Sequence, residues 1–327
     1  MEISKIGEFG LIELIKNTIG NHPDLQLGIG DDACAWNTRT GIQLATTDSL
    51  IENVHFEPKL TSWRDLGYKA LAVNLSDIAA MAGIGSVALV SLALPGNIQS
   101  EDIISFYQGM LELAQETGIA IAGGNVSRSP IINITVTVIG TAGLSGKILR
   151  RSDARERDLI AITGYPGCAA AGRMVLSGQL KVSKEQADQL LSCFLRPHPR
   201  LEQGNILACE GASAAIDISD GLLSDLQHIL SSSNVSAIID VGKLPLKPLL
   251  KAGLSHHQAV ELALGGGEDY ELLFTASESV MEKIAATIGK GLSIIGTITS
   301  ARSGCIKLAG NFTSFDNLKR AGWNHFG

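Results

Sequence analysis

The chain has 327 residues, 45% of them apolar, with 33 acidic against 26 basic side chains and a net charge of -7. That is about two domains' worth of chain at roughly 150 residues each, with enough apolar content for sizeable cores, which excludes a disordered protein. The acidic excess disfavours the broad phosphate-backbone footprint of a nucleic-acid binder, so an anionic ligand needs metal help. Cys34, Cys168, Cys193, Cys209 and Cys305 show no CxxC spacing and read as unpaired thiols of a reducing compartment. The first segment carries glutamates through its apolar stretch and lacks a small-residue cleavage site. No later apolar run approaches the roughly 20 residues of a membrane span. A soluble, cytoplasmic protein without nucleic-acid or membrane partners is expected.

Helical periodicity predicts a first helix at about 8–17, then a GIGDD loop and a strand at about 42–47 that ends on Asp48. A long helix follows from Trp63 to Met81, and the nearly continuous apolar run SVALVSLALP forms a strand closed by Pro95. A helix at about 100–117 and the strands IAIAGG and IINITVTVIGTA complete the first half, and the basic stretch LRRSDARERD at 149–158 reads as the connection. The second half alternates again: a strand and helices, AAID, a helix at 221–231, SAIID, ELLFT and SIIGTIT. The expected architecture is α/β (α+β) in two domains, residues 1–148 and 149–327.

The informative carboxylates fall in five short segments, GIGDD (28–32), TTD (46–48), NLSD (74–77), DISDGL (217–222) and GGGED (265–269). A carboxylate set among Ala, Val, Ile and Leu loses hydration on folding, and a buried charge needs a cation or several donors. Mg²⁺ takes hard oxygen ligands and bridges to substrate phosphates, so a dispersed Asp set points to phosphoryl chemistry. Each segment also has a plainer reading. Gly28, Gly30 and Ala33 match a dinucleotide fingerprint with Asp48 twenty positions on, but no buried strand precedes and a turn sequence follows. Asp31 and Asp32 are also ordinary turn formers. Asn74 and Asp77 share one face of a nearly all-apolar helix, where a polar side chain can simply bond backbone. Asp77 is expected to be buried. Asp217 ends a strand, and Asp220 is placed to cap the helix after Gly221. Three glycines let backbone approach a ligand, with Glu268 and Asp269 presented before a strand, unless this is a plain loop.

No Walker A loop exists, since the GK pairs at 146–147, 242–243 and 289–290 lack its flanking residues. HRD, DFG and zinc-site spacings are missing as well. Taken together, GEFGLI at 7–12, GIGDDA, TTDSLIENVHF, YKALAVNLSDIAAMA, RPHPRLEQG, DISDGLLSDL and GGGEDYELLFT resemble thiamine-monophosphate kinase, a family of the aminoimidazole-ribonucleotide-synthetase-like ATP-binding superfamily. The resemblance spans nearly the whole chain. It implies ATP-dependent phosphorylation of thiamine monophosphate to thiamine diphosphate, with several Mg²⁺ ions. It also implies a homodimer whose N-terminal sheets pair, and ATP between the N-terminal and C-terminal domains.

Matched motif by motif, the resemblance implies Asp31, Thr46, Thr47, Asp48, Asp77, Asn125, Asp217 and Asp220 as metal ligands, with Asp32 as a supporting partner behind them. It implies Tyr107, Gly124, Asn125, Arg151 and Ser219 around ATP, and His55, Glu268 and Trp323 around the substrate. The Trp323 indole suits a cationic thiazolium. A lone His is more often structural, a C-terminal Trp can tuck down the tail, and Arg151 can be a solvated linker residue. One departure stands out: the family's Gly-Gly-Asp-Thr reads Gly123, Gly124, Asn125, Val126, then Ser127. An amide replaces a carboxylate, which lowers the charge count and the expected Mg²⁺ affinity there. Ser127 can replace the lost hydroxyl, or the amides of 123–125 can carry the phosphate contact. The acceptor is already an ionised phosphate, so no general base is needed and direct in-line transfer is expected. The rivals are another synthetase of the superfamily, disfavoured because no cysteine precedes Cys34 and GGGEDYELLFT fits the thiamine branch, and a Mg-nucleotide-binding regulator without turnover, motivated by Asn125 and Val126.

Overall fold

The computed structural model describes residues 2–23, 25–27, 35–36, 41–300 and 304–310. The chain divides into two compact units, residues 1–78 with 84–142, and residues 79–83 with 143–327. Asp31, Asp32 and Trp323 lie outside the described residues.

The first unit contains α1 (Ile3–Ile19), the short strands β1 (Leu25–Leu27) and β2 (Ala35–Trp36), then β3 (Gln43–Ile51), α2 (Trp63–Ala80), β4 (Gly83–Leu94), α3 (Ser100–Thr117), β5 (Ala120–Arg128) and β6 (Asn133–Ala142). β1 pairs antiparallel with β2. The main sheet has the order β3-β6-β4-β5. β3 and β6 run antiparallel from Gln43 opposite Thr141 to Ile51 opposite Asn133, so β3 continues past Asp48 instead of ending there. The cross-strand partner extends the ladder where single-strand periodicity fades. β4 and β5 run parallel. Alternate β6 residues Ile134, Val136 and Val138 are buried, as are Leu71 and Leu75 of α2 and Phe106, Met110 and Leu113 of α3. α2 and α3 touch backbone to backbone: a Cβ on Gly67 would stand 1.8 Å from the Phe106 carbonyl oxygen, and one on Gly109 1.8 Å from that of Arg64.

The second unit contains β7 (Leu159–Thr163), α4 (Cys168–Leu176), α5 (Lys184–Leu195), α6 (Leu201–Glu210), β8 (Ala214–Asp217), α7 (Leu222–Ser233), β9 (Ser236–Asp240), α8 (Lys247–Lys251), α9 (His256–Gly265), β10 (Leu272–Ala276), α10 (Glu278–Ile288), β11 (Leu292–Thr299) and β12 (Ile306–Ala309). The six-stranded sheet has the order β12-β9-β11-β7-β10-β8. Its pairs are antiparallel except β12 with β9. Helices cover both faces, so the inner strands are apolar at successive positions and not merely alternate ones. Ile160, Ile162, Ile216 and Leu273 face α7 and α9, whereas Ala161, Ala215, Leu272 and Phe274 face α6 and α10.

The α2–α3 contact generates a direct prediction. Gly109→Ala should cost more than about 2 kcal/mol, because the added methyl meets a main-chain carbonyl that cannot rotate away. Urea unfolding measures it, and a variant within about 0.5 kcal/mol of wild type would contradict the packing described.

Candidate active site

The two units carry separate sets of polar groups. In the first, strand alternation places Thr46 and Asp48 on the face of β3 that holds the buried Leu44 and Leu50. Thr46 Oγ1 donates to Asp77 Oδ2 on α2 at 2.5 Å. Asp48 is exposed, and Asp77 is half-buried where full burial was expected. The helix position that is fully enclosed is Asn74, whose Nδ2 donates to the Ala70 carbonyl at 3.0 Å, so the plainer reading of that residue holds. Among the described residues Asn74 Oδ1 has no hydrogen-bond partner. Thr47 points to the other face, where its hydroxyl donates to the Val136 carbonyl at 3.2 Å and meets Thr137 Oγ1 at 3.0 Å. The structure therefore groups Thr46 with Asp77 and turns the Thr47 side chain away from them.

Asn125 lies on the edge strand β5 opposite Ser91 and is exposed. At its neighbour Gly124 a Cβ would stand 1.7 Å from the Val90 carbonyl oxygen, so a close approach of the two backbones requires glycine. His55 follows β3 in a turn, and its Nδ1 accepts from the Ile51 amide at 3.1 Å. In the neutral ring that bond leaves the proton on Nε2. Tyr107 is 4% exposed inside the core, with its ring edge-on to Phe106 at a centroid distance of 5.3 Å. Burial pushes its phenol pKa up. A nucleotide contact through that side chain is not what this placement offers, since the periodicity that put Tyr107 on α3 also turned it inward.

In the second unit, Asp217 ends β8 as expected and is 3% exposed. The turn Ser219–Asp220–Gly221 then starts α7. Asp220 does not cap this helix. Instead Asp225, one turn into α7, reaches back: its Oδ2 accepts from the amides of Ser219 at 3.0 Å, Asp220 at 3.1 Å and Gly221 at 3.1 Å. Burial pushes the Asp225 carboxyl up to about 7, the Asp220 charge adds to it, and the three amides oppose the shift. Sequence reasoning assigned Asp225 no role. The signal was there, an acidic residue in the first turn after a glycine. Carboxylate oxygens of Asp220 and Asp225 and a ring nitrogen of His228 all lie within 4.8 Å of one another.

The GGGED segment docks on this turn. The Glu268 amide donates to the Ser219 carbonyl at 2.7 Å, and the Tyr270 amide to that of Ile218 at 2.8 Å. Glu268 is half-buried, but Asp269 points inward and is 8% exposed, contrary to the expectation that both acids are presented. Asp269 Oδ2 accepts from the Gly167 amide at 2.6 Å and Oδ1 from that of Ala169 at 3.0 Å, at the start of α4. Burial holds its carboxyl well above the usual range, against those two bonds. Glu271, also 8% exposed, takes a forked pair of bonds from Arg200 of the RPHPRLEQG segment, at 2.6 and 2.5 Å, and one from Thr163 Oγ1 at 2.5 Å. Arg151 sits in an exposed 3-10 turn, Arg151–Asp153, whose first carbonyl accepts from Ser233 Oγ at 2.7 Å. The donors that remain around these turns are carboxylate, hydroxyl and amide oxygens, a set that fits a hard divalent cation.

Both halves of the chain match AIR synthase related proteins. The N-terminal domain model of that family matches residues 30–142, and the C-terminal domain model matches 155–307. Thiamine-monophosphate kinase of Escherichia coli (strain K12) is 37% identical over 98% of this chain and 98% of its own. The crystal structure of thiamine-monophosphate kinase from Stenotrophomonas maltophilia K279a is 37% identical, with a TM-score of 0.81 over 93% of this chain and 97% of its own. AaThiL complexed with AMPPCP and TMP is 31% identical, with a TM-score of 0.77 over 100% of this chain and 99% of its own. The chain belongs to the thiamine-monophosphate kinase family, within the AIR synthase related proteins.

The Asp225 geometry is testable. All three amides meet one oxygen, so Asp225→Asn can keep them, whereas Asp225→Ala should cost about 2 kcal/mol in urea unfolding. Because the folded-state pKa of Asp225, about 7, lies above its unfolded value, its contribution is present at low pH and lost as pH rises from about 4 to about 7. Asp225→Asn should therefore flatten the fall in stability across that window. An unchanged slope would contradict the assignment.

Proposed function

We infer that this chain transfers the γ-phosphoryl group of ATP to thiamine monophosphate, giving thiamine diphosphate and ADP. The observation that carries the reading is similarity at full length to thiamine-monophosphate kinases, among them one whose structure holds AMPPCP and TMP. The geometry supports it: main-chain bonds join the turns at 217–221 and 265–269 and bring the half-buried carboxylates of Asp220 and Glu268 onto adjoining turns, as a phosphate and metal site needs. Thr46, Asp48, Asp77 and Asn125 of the first unit, with Asp217 and Asp220 of the second, are the residues we propose as Mg²⁺ ligands, together with Asp31 and the Thr47 backbone. Mg²⁺ bound there would neutralise charge between two anions that must meet in line. Ser219, Gly124 and Arg151 are proposed to contact ATP, and His55, Glu268 and Trp323 the acceptor. The acceptor phosphate is ionised near neutral pH, so these residues position and no general base is required.

A cytoplasmic homodimer completes the reading. Cys168, Cys193, Cys209 and Cys305 are all unpaired thiols, as in a reducing compartment. No described helix is long and apolar enough to cross a membrane. Val54 and Ile131, both large, apolar and exposed, flank the Ile51–Asn133 end of the β3–β6 ladder, and we take that end as the place where a second copy pairs.

An assay with ATP, Mg²⁺ and thiamine monophosphate, following thiamine diphosphate by its fluorescent oxidation product, tests the reading, with unphosphorylated thiamine as control. Product from the monophosphate alone is expected, with inversion at the transferred phosphorus. Stoichiometric ATP binding without product would favour a regulator, for which Asn125 is the motive. In the same assay, Asn125→Asp should lower the Mg²⁺ concentration for half-maximal rate, because the added charge strengthens cation binding. An equal or higher requirement would reject that role for Asn125.

A further inference from the structure

The segment Glu268–Glu271 is held in a conformation that its residues do not choose by themselves. Glu268 has φ 67° and Tyr270 φ 51°, both in the left-handed region that side chains other than Gly, Asn and Asp seldom adopt. Two such residues flanking one position persist only if the surroundings over-determine them. On one side, main-chain bonds tie the segment to the turn before α7, from Glu268 to Ser219 at 2.7 Å and from Tyr270 to Ile218 at 2.8 Å. Gly267 lies so close that a Cβ there would stand 2.6 Å from the Ser219 carbonyl oxygen. On the other side, Asp269 spends both carboxylate oxygens on the Gly167 and Ala169 amides, at 2.6 and 3.0 Å. Its partners stand about a hundred positions away in the chain, at the first turn of α4. Only a carboxylate satisfies both amides, because an amide side chain has one acceptor and would turn its NH₂ toward the other donor.

We propose that Asp269 is a positioning residue for the phosphoryl acceptor: by holding the start of α4 it locks the double left-handed turn that presents Glu268 and seats Gly267 against Ser219. This rests on the reading of Glu268 as a contact to thiamine monophosphate. Asp269 itself is turned inward, with both carboxylate oxygens on the start of α4. Glu271, gripped by Arg200 and Thr163 two residues further on, fixes the strand end and leaves the turn as the part that Asp269 governs.

Steady-state kinetics of wild type, Glu268→Gln, Asp269→Asn and the double variant test this. Each single variant should raise KM for thiamine monophosphate about tenfold and leave KM for ATP within about twofold. The double variant should be no worse than either single one, since both remove the same contact. A fall in Tm and active fraction with both KM values unchanged, or a double variant whose effects multiply, would overturn the positioning role. If wild type makes thiamine diphosphate and Glu268→Gln leaves KM unchanged, the acceptor contact and this inference fall together. If wild type makes none, the kinase reading itself fails. Should Asp269→Asn not fold, Asp269→Glu keeps both acceptor oxygens on a longer arm that shifts the turn, and it should raise KM for thiamine monophosphate with the same selectivity. Hydrogen exchange on wild type is the parallel measurement: the Gly167 and Ala169 amides should exchange more slowly with thiamine monophosphate bound, and equal rates would overturn the proposal.

Discussion

A cluster of like charges in a folded chain must be held together against its own repulsion, and this protein does so by tying its buried carboxylates to main-chain amides. Asp225 takes three of them and Asp269 two, while Glu271 is gripped by the Arg200 fork. Each bond satisfies a charge that burial would otherwise make prohibitive. Each also fixes the loop that donates the amide. The turns that carry Asp217, Ser219, Asp220 and Glu268 are therefore shaped by neighbouring buried acids.

The same economy appears in the first unit with different parts. Thr46 and Asp77 come from a strand and a helix and meet through one short hydrogen bond, which holds the carboxylate on the face that Asp48 shares. Gly124 allows β5 to run tightly against β4 and so sets the height of Asn125 on the sheet edge. Rigid elements, and not long loops, thus place most of the candidate ligands. That suits a reaction in which two anions must be aligned and little covalent chemistry is asked of the protein.

Acids in this chain fall into two populations that motif spacing alone does not separate. Asp269 and Glu268 are adjacent and chemically alike, yet one is part of the scaffold and the other is half-exposed beside Ser219. The physical divider is the set of distant partners: Asp269 turns inward onto the Gly167 and Ala169 amides and Glu271 onto Arg200 and Thr163, which leaves Glu268 half-buried at the turn. Asn125 stands with the second group, exposed on the edge strand β5.

Several features were legible in the residues. The long apolar helix around Asn74, the strand ending on Asp217 and the helix after Gly221 follow from local periodicity and turn chemistry, which operate over a few residues. The ordered motifs carried the family. The tertiary structure alone decided the rest. Single-strand patterning stopped β3 near Asp48, while pairing with β6 extends it to Ile51. Tyr107 resembled a nucleotide contact until α3 packed it against the core. Asp269 was expected to be presented beside Glu268, but the amides of Gly167 and Ala169, 102 and 100 residues away, turn it inward. A sequence states which residues bear charge and how they recur along one element. Which oxygen meets which donor depends on partners far away in the chain, and those distances exist only once the sheets and helices have packed.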